Sequence, residues 1–207
     1  MAFHKKIKSV CGAGLLAIAM GGASAEAAPA LGRFMPILGE TNAPSGHMEF
    51  CDMRPGECSG PDGMPVVVKL DGERWEELVQ INMKVNKAVR PTTDQAQFGV
   101  SEFWTYPTDG AGDCEEYVLE KRRILMENGW PKSALLITVV KDTKNEGHAV
   151  LSVRTDQGDL ILDNQMQAIL PWYSTPYRFV KRQSSRHPAK WAAISDRRVS
   201  TVASISE

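Results

Sequence analysis

The chain has 207 residues, 43% hydrophobic and 24% charged, enough apolar content to close one core and too little length for several. A formal net charge of −1 gives no electrostatic reason to expect a nucleic-acid partner, whose phosphates require a basic face. Past the N-terminus no apolar stretch approaches the roughly 18 residues of a spanning helix, so no stable membrane insertion is expected.

Residues 1–25 have the three parts of a secretory signal peptide: basic Lys5, Lys6 and Lys8, an apolar run from Ser9 to Met20, and small Ala23-Ser24-Ala25 before the cleavage point. Cys11 has Lys8 three residues before it, where a lipidation site wants an apolar residue, so no lipid anchor is expected. The expected location is periplasmic or secreted. Removing residues 1–25 takes away three lysines and no acid, which moves the net charge from −1 to −4. It also removes Cys11 and leaves Cys51, Cys58 and Cys114 in an oxidising compartment, where thiols normally pair. Cys51 and Cys58 flank a Pro55-Gly56 turn and form the expected disulfide, with reduced thiols in a loop as the alternative. Cys114 stays single either way, and a single thiol in an exported chain asks for a reason.

From Glu26 to Pro65 the chain is rich in Pro, Gly, Ala and Ser without a sustained period, so residues 26–70 are expected to form an irregular arm stapled by the disulfide. The core is expected over 71–194 and a polar, frayed tail over 195–207. Trp75, Leu78, Val79, Asn82, Val85 and Val89 recur at helical spacing until Arg90-Pro91. Asn82 and Asn86, one turn apart, read first as surface or capping amides and otherwise as buried polar groups. Pro91 to Gly112 reads as loop. A helix is predicted from Asp113, its cap, through acidic Glu115 and Glu116 to Asn128-Gly129. Short β-rich runs then follow at Leu135–Val140, Ala149–Val153, Leu160–Leu162 and Tyr177–Val180, most simply an antiparallel meander. The class is α+β.

A thiol is nucleophilic as thiolate, and both a helix N-terminus and a neighbouring imidazolium favour that form. Cys114 sits at the predicted helix start. Of the mature histidines, His47 and His187 fall in irregular flanks, whereas His148 opens a strand and is the natural partner. Asp163 ends the next apolar run; if Arg154 pairs with Asp159, Asp163 comes opposite Val150, on the His148 face and one diagonal step away. Singly these are ordinary residues. Together they describe a Cys-His-Asp site on a papain-like or transglutaminase-like core, with the nucleophile at a helix N-terminus packed on an antiparallel sheet.

The runs Gly112-Asp113-Cys114-Glu115-Glu116-Tyr117, Lys121-Arg122, Gly147-His148-Ala149-Val150-Leu151 and Leu162-Asp163-Asn164 resemble the bacterial transglutaminase-like cysteine peptidases (BTLCP). The resemblance extends from about Cys51 to Trp191 and includes Asn82, Asn86, Asp94 and Trp104. It implies a catalytic triad of Cys114, His148 and Asp163. Better-understood members are calcium-dependent periplasmic proteases that release surface adhesins, which implies a calcium site at Asp113, Glu115 and Glu116; those members typically carry Asp where Glu116 stands. No organic cofactor is implied. By analogy with transglutaminases, the Trp104 indole is an oxyanion-donor candidate beside the Cys114 amide.

The leading expectation is an exported cysteine hydrolase cutting an amide bond, with a protein or peptide substrate, through an acyl-enzyme. Two alternatives stay open: an acyl transferase on the same triad, and a non-catalytic binding module in which the acids hold calcium or a partner.

Overall fold

The computed structural model describes Met1 and residues 32–60 and 63–198; apart from Met1, the expected signal peptide lies outside the described residues. The first helix expected from the apolar period is α3, Gly72–Ala88, after β1 (Ile37–Thr41), α1 (Ser45–Met53) and α2 (Pro55–Cys58). Asp71 caps α3 by accepting from the Arg74 amide at 3.0 Å, and Leu78, Ile81, Asn82 and Val85 form its buried stripe. Asn82 is therefore a buried polar residue and no surface amide. Helix α5, Cys114–Glu127, begins at Asp113 and ends where Gly129 takes the left-handed φ of 86°.

The stretch expected as loop between Pro91 and Gly112 contains more order. β2 (Arg90–Pro91) pairs in parallel with β3 (Ala111–Gly112), and α4 (Asp94–Phe98) is capped by Thr93 and stopped by Gly99. These short pieces return the chain to the start of α5 and set Asp94 against Asp113, whose Oδ2 accepts from the Asp94 amide at 3.3 Å.

Strands β4 (Leu135–Lys141), β5 (Gly147–Thr155) and β6 (Gly158–Leu162) are consecutive antiparallel neighbours. The β5–β6 turn has two residues between Thr155 and Gly158, and Gly158 adopts φ 117° where a Cβ would press the Arg33 carbonyl at 2.5 Å. The register is as expected: Arg154 pairs with Asp159 and Leu151 with Leu162, so the next step brings Asp163 level with Val150. β7 (Leu170–Pro171) extends the meander, but β8 (Arg178–Gln183) crosses to the other side of β4, giving the order β1-β9-β8-β4-β5-β6-β7 with β9 at Trp191–Ile194. Both sheet faces are covered. Leu135, Ile137, Leu151, Val153, Leu160 and Leu162 meet α3 and α5, while Val140, Val150 and Ile161 meet Met35, Trp172, Tyr177 and Phe179.

The irregular arm is corrected. β1 completes the sheet edge against β9, and α1 drives His47 and Phe50 into the main core. The pairing with β9 is made by residues some 150 positions away, a partnership no local period announces. Cys51 and Cys58 are bonded, with Cα atoms 5.4 Å apart. The start of the expected frayed tail is likewise ordered: Ser195 donates to the Pro36 carbonyl, and Arg198 binds Asp196 and the carbonyls of Trp172, Thr175 and Tyr177. Residues 199–207 lie outside the described residues.

Candidate active site

Strand parity decides which side chains can meet. His148 and Asp163 lie on the same sheet face, and His148 Nε2 is 2.8 Å from Asp163 Oδ1, both side chains almost wholly buried. An ionised carboxylate only accepts, so Nε2 is the donor, and in the neutral imidazole Nδ1 holds the lone pair. Asp163 also accepts from the Tyr177 hydroxyl and from the Gln165 amide at 3.1 Å, while Asn86 Nδ2 donates to its main-chain carbonyl at 2.8 Å. Burial alone would raise the Asp163 carboxyl; the hydrogen bonds from His148 and Tyr177 outweigh it and hold the group below its ordinary value. His148 is 3% exposed, less open than a strand mouth suggests, because Tyr177 covers its ring edge-on at 5.5 Å.

Cys114 opens α5, and its Sγ accepts from the Ala149 amide at 3.3 Å, the residue after His148. Cys114 and His148 line one groove of about 390 Å³, walled by Thr92, Gly147, Asn164 and Gln165. Gln165 Nε2 stands 3.4 Å from His148 Nδ1. The thiol itself donates to Glu115 Oε2 at 2.9 Å. Burial first, then the Glu115 charge and hydrogen bond, push its pKa well above the ordinary thiol value, the reverse of what a helix start alone implies.

Glu115 belongs to a four-acid cluster. Asp113, Cys114 and Glu115 can bring ligand atoms within 4.8 Å of one another, as can Asp94, Asp113 and Glu116. Glu116 folds back to accept from the Asp113 amide at 2.9 Å and the Thr105 amide at 3.1 Å; a Cβ on Gly112 would meet its side chain at 2.5 Å, so only glycine leaves room. Burial and the neighbouring Asp113 charge raise Glu115 to about 9, and burial above all raises Glu116 to about 8. Asp94 Oδ1 and Asp113 Oδ1 are buried with no hydrogen-bond partner. Orphaned carboxylate oxygens crowded with like charge are what a hard cation's ligands look like without the cation, so the donor set fits calcium.

Four sequence expectations change here. Trp104 is no oxyanion donor: its indole N–H is occupied by Glu102 at 2.9 Å, and its ring is packed on Gly46, His47 and Trp191, away from the groove. The acid cluster also includes Asp94, which the residues next to Cys114 cannot reveal because α4 delivers it from 19 positions upstream. Tyr177 was likewise expected only as part of a strand; its hydroxyl is the carboxylate's second side-chain donor. His47, set aside on sequence, is buried between Trp104 and Trp191, where desolvation lowers its pKa to about 4 and keeps it neutral.

Residues 37–199 match the family model of the bacterial transglutaminase-like cysteine proteinases, BTLCP. The chain belongs to this family. It is a transglutaminase-like cysteine peptidase, and its substrates are accordingly proteins or peptides. Among solved structures it is similar to LapG of Legionella pneumophila. The calcium-bound form is 26% identical over 62% of this chain and 73% of that one, with TM-score 0.51. Another LapG structure is 28% identical over 57% and 68% of the two chains, with TM-score 0.49. No curated protein matches. Among the described residues no helix is long and apolar enough to cross a membrane.

Proposed function

We propose that the peptidase works through Cys114, His148 and Asp163 after export, and that the four acids hold calcium. The observation that carries this reading is the His148–Asp163 pair, which engages Nε2 and leaves Nδ1 clear of the carboxylate, 3.4 Å from Gln165 Nε2, in a residue that lines the same groove as Cys114. In the first step His148 Nδ1 takes the thiol proton, and Sγ forms a bond to the scissile carbonyl carbon. The Cys114 amide, first of the unsatisfied N–H groups of α5, faces the resulting oxyanion. Collapse breaks the C–N bond, His148 returns its proton to the leaving amine, and a thioester remains. Water then attacks with His148 as base, releasing the carboxylate and the thiol. Transfer of the acyl group to an amine would use the same first half.

Asp94, Asp113, Glu115 and Glu116 would hold the cation, as the calcium-bound LapG relative supports. Bound calcium would supply fixed positive charge beside the nucleophile and compete with the thiol for the Glu115 carboxylate. Export is supported by the signal-like residues 1–25 and by the Cys51–Cys58 bond, which belongs to an oxidising compartment.

The test is the rate of iodoacetamide labelling of Cys114 in calcium-loaded mature protein, read by intact mass. His148→Ala is expected to slow labelling at least tenfold. Equal rates in the two proteins would mean that His148 does not activate Cys114, and the triad reading would fail.

A further inference from the structure

Among the described residues, four backbone N–H groups bind the acids of the cluster. Two belong to the elements that carry the acids: the Asp113 amide donates to Glu116 at 2.9 Å and the Asp94 amide to Asp113 at 3.3 Å. The other two come from one short segment outside those elements. The Phe103 amide donates to Asp94 Oδ2, and the Thr105 amide donates to Glu116 Oε1 at 3.1 Å. Tying Asp94 through Oδ2 leaves its Oδ1 buried without a partner, as Asp113 Oδ1 also is, so these amides settle which oxygens a cation can take. Residues 103–105 lie in neither helix nor strand, so no regular ladder of backbone bonds holds the two donors in place.

Between those donors stands Trp104, only 2% exposed. Its indole N–H is held by Glu102 at 2.9 Å, and its ring meets His47 edge-on with centroids 5.6 Å apart. It lies so close to α1 that a Cβ on Gly46 would stand 2.4 Å from the ring. We infer that Trp104 is a positioning residue for the calcium site: its ring, wedged against Gly46, fixes the Phe103 and Thr105 amides and through them the carboxylates of Asp94 and Glu116. The inference rests on the calcium reading above. It extends the site to the disulfide-bearing arm, since α1 supplies both Gly46 and His47. Packing alone asks only for a large apolar side chain at this place; it does not ask that the amides on both sides of it serve two acids of one cluster. Orienting partners of this kind are what keep a metal's ligands in their geometry.

The experiment measures the calcium dissociation constant of chelator-stripped mature protein by titration calorimetry, with the melting temperature of the metal-free form recorded beside it. Two variants disturb the wedge without touching an acid: Gly46→Ala displaces the ring, and Trp104→Phe thins it and releases Glu102. Trp172→Phe, in the core on the other sheet face, controls for a general loosening of the fold. Gly46→Ala and Trp104→Phe are expected to weaken calcium binding about 10-fold or more, the usual cost of losing a group that orients a metal ligand. Trp172→Phe should lower the melting temperature and leave the dissociation constant at the parent's value. Parental calcium affinity in the two wedge variants, however far their melting temperatures fall, would make Trp104 a core residue alone and overturn the inference. An equal loss of affinity in Trp172→Phe would overturn it too. No binding heat in the parent protein would instead overturn the calcium reading, and the inference with it.

Discussion

The Asp163 carboxylate has three partners with different origins. His148 comes from the paired strand, the Gln165 amide from the turn that follows, and Tyr177 from the approach to β8. Replacing the carboxylate by an amide keeps the size but presents a donor to Nε2, which favours the tautomer with its proton on Nδ1 and no lone pair for the thiol. Asp163→Asn is therefore expected to keep the fold and lower kcat by about 10³–10⁴. The pH dependence of stability has a fixed sign. The folded carboxyl is held below its unfolded value, so it stabilises the native state above that value and the contribution fades as pH falls through the folded one. Acid unfolding of Asp163→Asn, followed by circular dichroism below about pH 4, should accordingly be shallower than that of the parent; parallel acid limbs would show that the bonds to His148 and Tyr177 do not stabilise the ionised form. The sequence supplies the His148–Asp163 pairing because strand parity is local arithmetic. It hides Tyr177, since nothing in Pro176-Tyr177-Arg178 distinguishes a hydroxyl aimed at an acid from one aimed at water. Trp104 fails for the opposite reason: an analogy assigns a donor, but Glu102, two residues away, already uses it.

Between residue and whole, α3 and α5 were legible because cap, apolar stripe and stop signal agree within one stretch of chain. β1 and α1 were not. β1 is mostly exposed, contains Gly39, and is a strand only because β9 pairs with it; α1 has no side-chain cap and no acid in its first turn. Such an element depends on tertiary contacts, and the disulfide restrains the chain just after α1 buries His47 and Phe50. Closing so short a loop stabilises by about 2 kcal/mol through chain entropy. The double variant Cys51→Ser, Cys58→Ser should thus melt about 4–8 °C below the parent in a chain of this size. Iodoacetamide labelling of Cys114 at 25 °C should be unchanged, since neither Cys51 nor Cys58 lines the groove. A melting temperature equal to the parent's would mean that packing of Phe50 alone fixes the arm.

At the scale of the molecule, one edge of the structure gathers the start of α5, the end of β2, the cap of α4 and the turns after β4 and β6. It concentrates four carboxylates there beside a half-buried thiol. Burial and mutual repulsion make these carboxyls costly to ionise in the metal-free protein, and a cation that binds the native cluster but not the unfolded chain offsets that cost. At a free calcium concentration 100 times the dissociation constant the gain is about 2.7 kcal/mol, or roughly 5–10 °C in melting temperature. Titration calorimetry of chelator-stripped protein should show one site, and calcium should raise the melting temperature by that order. Asp94→Asn separates this cluster from one built only on residues next to Cys114, because Asp94 is brought in solely by the β2–β3 pairing and α4. It should weaken calcium binding about as much as Glu115→Gln, while magnesium at the same concentration stabilises less, an irregular carboxylate set suiting the larger ion. If stripped protein gives no binding heat and melts at the same temperature with millimolar calcium, the acids serve the helix N-terminus alone. In that case Glu115→Gln alone should free the Cys114 thiol, with labelling rates that no longer depend on the ion.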